Sequence, residues 1–259
     1  MRICLDAGHY LGTPGKRCLK SIDPGETREW PLNSRIAEKV QKQLEQYRCT
    51  VLRADDVTGK RDVSLAERVA AANEAGADVY LSIHHNAGIN GGSGGGVVVF
   101  VHPDAGEEAV ILQQELYRQV VERTGLKGNR ANPTPTGDYY VLRKTAMTAV
   151  LGEFGFMDST TDTPVILTEE FAEQAAEGIA AALVKIYGLE ETELTREEIR
   201  ALIREEIARM EEERAGQKAS PWAGDILKQA AAKGITDGSR PQSWATRQEV
   251  AAMVNAAVK

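Results

Sequence analysis

Short apolar runs alternate with helix-period stretches over the first 187 residues. This alternation constrains the fold most, because strands and helices in turn pack as a sheet covered by helices. Strands are expected at 2–6, 49–53, 78–83, 96–101 and 148–153. Helices are expected at 31–46, from Ser64 to near Gly76, at about 106–123, and at 169–187. In the first helix Leu32, Ile36, Val40 and Leu44 share one face, and Pro31 is tolerated in the first turn. Ser64 and Glu67 form a capping box that opens the second, since each side chain satisfies a free backbone donor of the other. Gly188 stops the last. The pattern predicts an α/β fold: a mostly parallel open sheet with helices on both faces. A helical linker and a small helical C-terminal module follow.

The chemistry-bearing residues fall where such a sheet places a site. His9 and His84 follow apolar strands, Ile3–Ala7 and Leu81–Ile83, and Glu153 ends a third. Open α/β sheets bind ligands beyond the carboxyl ends of their strands. Glu26 and Glu29 lie three apart before the first helix, and either can supply a carboxylate; Asp6 is a further candidate. His84 is followed by His85. Strand alternation sends Leu81 and Ile83 to one face and Ser82 and His84 to the other. Two histidines and one carboxylate leave one position of tetrahedral zinc open. A further glutamate in an apolar strand is expensive unless it is used, and beside a metal it serves as general base. This is the equipment of a metal-dependent amide hydrolase.

Asp6-Ala7-Gly8-His9, Glu29 with Asn33, Ser82-Ile83-His84-His85-Asn86 and Leu151-Gly152-Glu153-Phe154-Gly155-Phe156 occur in this order, with Tyr140-Val141-Leu142-Arg143 upstream of the last. Together they resemble the zinc-dependent N-acetylmuramoyl-L-alanine amidases of endolysin and autolysin type, over roughly residues 1–187. The resemblance implies Zn2+ held by His9, Glu29 and His84, with Glu153 as the catalytic base. Asp6 then reads as fixing His9 or its loop, because ligating histidines usually donate their other N–H to a carboxylate or carbonyl, and His85 is left as a wall residue or substrate contact. Asn86 orients a ligand or holds the turn. The implied substrate is peptidoglycan, cut between the lactyl group of muramic acid and the first L-alanine of the stem. A zinc peptidase of similar architecture and a non-enzymatic wall-binding protein are the competing readings.

Composition sets the remaining bounds. Hydrophobic residues make up 42% and charged residues 27%, and the formal net charge is −7. Bulk attraction to nucleic acid or an anionic membrane is therefore not expected. No run of about 18 apolar residues suggests a membrane span. Met1-Arg2-Ile3 already belongs to the first strand, so no secretory signal is expected. The protein is then made in the cytoplasm and acts on the wall after release. Cys4, Cys18 and Cys49 are too few and too scattered for a disulfide framework. Cys4 reads as a small buried apolar residue, and Cys18 as a minor metal candidate. Gly91–Gly96, with one serine, reads as a flexible cleft rim, because it lacks a following Lys-Ser/Thr and precedes a strand. His102 reads as a loop residue.

Beyond the catalytic domain at 1–188, residues 189–218 form a charged amphipathic helix and linker. Leu194, Ile199, Leu202, Ile203, Ile207 and Met210 recur at helical spacing, and Thr195 with Glu198 forms a capping box. The stripe serves either as a connector or as a homo-oligomer contact. Residues 219–259, with helix starts near Trp222 and Ala245 and a turn at Gly234–Gly238, resemble one surface-layer-homology repeat. Gln248 departs from the usual Thr-Arg-Ala-Glu pattern, and a single repeat is present where several in tandem are usual. The resemblance implies anchoring to a secondary wall polymer, with Arg247 as the anion contact.

Overall fold

A computed structural model describes residues 1–192, 196–220, 222–237, 239, 245 and 247–257. The chain divides into two compact units, Met1–Thr192 and Glu193–Lys259. Among the described residues no helix is long and apolar enough to cross a membrane.

The first unit is built on a five-stranded sheet: β1 (Arg2–Ala7), β2 (Thr50–Arg53), β3 (Val79–Asn86), β4 (Val97–Phe100) and β5 (Thr148–Phe156). The spatial order is β2-β1-β3-β5-β4. All neighbours are parallel except β4, which runs antiparallel to β5 at the edge. β1, β3 and β5 therefore lie side by side and end on the same side of the sheet. This neighbourhood converges His9, His84 and Glu153, which are far apart in the chain.

Strand alternation makes the two faces different. Ile3, Leu5, Leu81, Ile83, Val150 and Phe154 point into the larger core. Over that face lie α1 (Glu29–Leu44), α3 (Glu107–Thr124) and α6 (Glu169–Tyr187), which bury Ile36, Leu116 and Ile179. Cys4, Tyr80, Ala149 and Leu151 point the other way, against Val69 of α2 (Leu65–Glu74) and Val141 of α4 (Tyr140–Lys144). The Ser64 capping box is formed in both directions, and Gly188 closes α6 in a left-handed conformation.

Several boundaries differ from the periodicity. β3 and β5 run three residues past their expected ends, to Asn86 and Phe156. The ladder continues through His84↔Glu153 and, across a register shift, Asn86↔Phe156. His84 thus stands within its strand rather than beyond it, and Glu153 lies inside its strand rather than at its end. α1 begins at Glu29, bringing that carboxylate into the first helical turn. α4 and α5 (Thr163–Ile166) have five and four residues, too short to show a helical period. Past α6 the chain stays on the first unit: Arg48 N–H donates to Glu190 O at 2.8 Å, and Thr192 N–H donates to Gln46 O at 2.7 Å.

The second unit contains α7 (Arg196–Ala215), α8 (Gly224–Ala232) and α9 (Arg247–Ala257). Ile199, Leu202, Ile203, Ile207 and Met210 of α7 are exposed, as is Trp222. Leu194, Thr195, Gly238 and Thr246 lie outside the described residues, as do the side chains of Glu198, Arg247 and Gln248. The expected capping box and anion contact fall there.

Candidate active site

Glu29 is fully buried at the start of α1 and stands between two imidazole rings. His9 Nε2 is 3.3 Å from Glu29 Oε2, and His84 Nδ1 is 3.1 Å from Glu29 Oε1. One donor atom from each residue fits within a cluster 4.8 Å across. The two rings meet edge to face with centroids 4.9 Å apart. Gly8 makes that approach possible: a Cβ there would lie 1.9 Å from His84 Cε1. His9 itself adopts φ +68°, a left-handed conformation uncommon outside glycine.

The carboxylate is held by more than the rings. His85 N–H donates to Glu29 Oε1 at 3.2 Å. Asn33 Nδ2 donates to Gly8 O at 3.0 Å and to Glu29 Oε1 at 3.4 Å. Lys16 Nζ stands 3.7 Å from Glu29 Oε2. Burial pushes the Glu29 carboxyl up, but the His84 hydrogen bond and the charges of His84 and His9 outweigh it and hold it well below the carboxylate range. Burial alone would depress His84; the Glu29 hydrogen bond and charge, helped by Glu153, raise it instead.

Glu153 is the register partner of His84 and lines the same cleft. Burial, with some repulsion from Glu29, pushes its carboxyl up to about 7, against the opposing pull of His84 and Lys16. Its Oε2 is buried without a hydrogen-bond partner, as are His9 Nε2 and Glu29 Oε2. The cleft encloses about 480 Å³, and its lining includes Thr13, Lys16, Ser64, Tyr139, Tyr140 and Leu151.

The other candidates lie outside the cluster. Glu26 pairs with Arg17 at 3.4 Å and Lys20 at 3.7 Å, on the partly exposed loop before α1. Asp6 accepts hydrogen bonds from Tyr80, Ser82 and Arg68, and it reaches the His9 loop through Arg68. His85 does not face the cleft. It points to the opposite side of the sheet, where its Nδ1 meets Asn33 Oδ1 at 2.8 Å and its ring nears Phe171. Burial holds His85 down to about 3, so it is neutral. Asn86 holds the turn, accepting from Ala87 N–H at 2.8 Å. Cys18 is buried and outside the cluster; burial pushes its thiol up to about 12, with Asp23 and Glu29 adding to the effect.

The glycine-rich stretch does not line the cleft. Its backbone is pinned to the loop after β5, with Gly96 N–H donating to Asp162 Oδ2 at 2.7 Å and Gly94 N–H to Thr161 Oγ1 at 2.9 Å. A Cβ at Gly95 would lie 2.6 Å from Asp162 Oδ2, so this contact requires glycine. His102 caps its own loop, accepting from Asp104 N–H at 3.1 Å. Arg68 and Lys16 were not among the sequence candidates. A charged residue on the apolar face of α2, beside Val69 and Ala72, was the available signal for Arg68.

Comparison with known proteins decides the family. A profile of the N-acetylmuramoyl-L-alanine amidase family, Amidase_3, matches residues 3–185. The chain belongs to this amidase family. It is 33% identical over 135 residues to the sporulation-specific N-acetylmuramoyl-L-alanine amidase of Bacillus subtilis, covering 52% of the chain and 50% of that protein. It is 31% identical over 125 residues to the endolysin of Bacillus phage SPP1, covering 48% and 46%. The chain thus spans about half the length of these amidase relatives. The crystal structure of an N-acetylmuramoyl-L-alanine amidase from Clostridium difficile 630 superposes with a TM-score of 0.65 at 26% identity, covering 72% of this chain and 96% of that one. The catalytic domain of CwlV, an amidase of Bacillus (Paenibacillus) polymyxa, shares the fold with a TM-score of 0.63 at 24% identity, covering 73% and 99%.

The two neighbouring histidines are expected to titrate apart. In metal-free protein His85 stays neutral at pH 5, because its folded-state value lies near 3 rather than near 6.5. The unfolded chain binds that proton as pH falls below about 6.5, so His85 withdraws stability between there and about 3. A histidine NMR titration showing a His85 midpoint near 6.5 contradicts the buried environment.

Proposed function

We propose that this chain is a zinc-dependent amidase that hydrolyses the bond between N-acetylmuramic acid and L-alanine in peptidoglycan. One observation carries the reading: two imidazoles and a buried carboxylate converge beside a cleft, with unbonded buried donor atoms at His9 Nε2 and Glu29 Oε2. A pair of buried polar atoms at 3.3 Å that forms no hydrogen bond is costly. A cation between them removes the cost, and this nitrogen and oxygen donor set suits zinc. Membership in the amidase family supports the substrate.

His9, Glu29 and His84 are the residues that hold the metal. Bound there, zinc supplies Lewis acidity to the scissile carbonyl and to the attacking water. Glu153 does the proton work. Its basic form takes a proton from water as the oxygen adds to the carbonyl carbon. The same carboxyl then gives that proton to the stem nitrogen as the carbon–nitrogen bond breaks, leaving a free L-alanine amino terminus. Burial raises this carboxyl in the metal-free chain, which favours its accepting and returning a proton. The cleft wall of Tyr139, Tyr140 and Thr13 is the surface that receives the stem.

Residues 1–188 are the catalytic domain in this reading, 189–218 a charged helix and linker, and 219–259 a wall-anchoring module resembling one surface-layer-homology repeat. The place of action is the cell wall. Purified walls treated with the full chain release L-alanine amino termini. His9→Ala and His84→Ala lose zinc and activity together. Glu153→Gln keeps zinc and loses roughly 10²- to 10⁴-fold in rate. Near-normal turnover by Glu153→Gln, or activity on free peptides but not on walls, overturns the assignment.

Retention on the wall tests the module separately. Removing residues 193–259 lowers co-sedimentation with walls carrying secondary polymer and leaves hydrolysis of soluble muropeptide unchanged. Equal retention of both forms removes the anchoring role.

A further inference from the structure

We propose that Arg68 is a positioning residue for the metal centre, holding the backbone of His9 in the left-handed conformation that aims its ring at Glu29. The inference rests on the zinc reading above and concerns a residue of the cleft wall that lies outside the ligand set.

Arg68 lies on α2 and is 2% exposed, so each of its donors needs an internal partner. Nε donates to Val63 O at 2.8 Å, which fixes the guanidinium against the start of its own helix. Nη1 donates to Ala7 O at 2.9 Å and to the Asp6 carboxylate, and Nη2 donates to His9 O at 2.8 Å. One planar fork therefore grips the carbonyls on both sides of Gly8. Between those carbonyls the chain leaves β1, passes Gly8 with no room for a Cβ beside His84, and turns at His9 with φ +68°. A histidine with this φ persists only where its surroundings over-determine it. The Arg68 fork is such a restraint.

Core stability alone does not account for the arrangement. Replacing a buried ion pair by apolar side chains of similar volume is often neutral or stabilising. This one is supported further: Asp6 also accepts from Tyr80 Oη at 2.7 Å and Ser82 Oγ at 3.0 Å. Ser82 precedes His84 by two residues on the same face of β3. The network thus ties the strand carrying one candidate ligand to the loop carrying the other.

The test uses the full chain with Arg68→Met and Arg68→Lys, measured by zinc competition with a chromophoric chelator. Loss of an outer partner of a ligand weakens metal binding roughly 10- to 100-fold, and Arg68→Met is expected in that range. Arg68→Lys keeps the charge but not the fork, and falls between it and wild type. The decisive comparison sets zinc affinity beside the metal-free melting temperature of Arg68→Met and Arg68→Lys. The affinity loss is expected in a variant whose metal-free melting temperature stays near that of wild type. An affinity loss that only tracks a loss of metal-free stability marks a purely structural role, and that result overturns the proposal. So does zinc affinity within twofold of wild type in folded Arg68→Met. A metal-free crystal structure of Arg68→Lys reads the backbone step alone: His9 leaves the left-handed region if the proposal holds and keeps it if the proposal fails. A wild-type chain that binds no zinc overturns the metal reading instead, and the metal-free structure still decides the backbone role.

Discussion

A carboxylate with no exposed surface, Glu29, organises the site. Burying such a charge is unfavourable unless cations and donors surround it. Here the helix N-terminus, the His85 amide, the Asn33 side chain and two imidazoles all face it. The loop after β1, the first turn of α1 and the end of β3 must therefore arrive together. Glu153, by contrast, has burial without a paired cation of its own, and its carboxyl rises to about 7. Two glutamates in one cleft are pushed in opposite directions by their surroundings. That separation distinguishes a residue suited to hold charge from one suited to exchange a proton.

Support for the site comes from both sides of the sheet, because the strand alternates. His84 faces the cleft, while His85, one residue on, faces the core and meets Asn33. Asp6, Tyr80 and Ser82 share the cleft-side face with His84 and converge with Arg68 below the loop of His9. Polar networks of this kind define geometry when every member is satisfied. Orphaned atoms of His9, Glu29 and Glu153 lie in the cluster and its cleft, where the proposed chemistry uses them.

The layout of the first unit was legible because its signals are periodic. Leu32, Ile36, Val40 and Leu44 mark a helix face, and Ser64 with Glu67 marks a helix start. Strand order was not legible, since β-pairing is non-local: the chain runs β3, β4, β5, but β5 lies between the other two. The reach of β3 to Asn86 was hidden because His84, His85 and Asn86 are polar and end the apolar run, although ladder bonds to β5 extend them. Periodicity left Glu26 and Glu29 open, and only the start of α1 separates them in space. Arg68 was missed because its place beside Val69 and Ala72 signals burial but not its partners, three backbone carbonyls that only the fold brings together. The glycine-rich stretch misled for a related reason: glycine serves close packing as well as flexibility, and the contact with Asp162 is tertiary.

The central claim is that the buried pair of unbonded atoms, His9 Nε2 and Glu29 Oε2, together with His84, forms a zinc site. Crystals of the full chain grown with one equivalent of zinc, with data collected on both sides of the zinc absorption edge, test it most directly. The account predicts one strong anomalous peak enclosed by His9, Glu29 and His84, open toward the cleft beside Glu153. A fully occupied peak elsewhere, on Glu26, Cys18 or His85, or no peak within that triad, contradicts it.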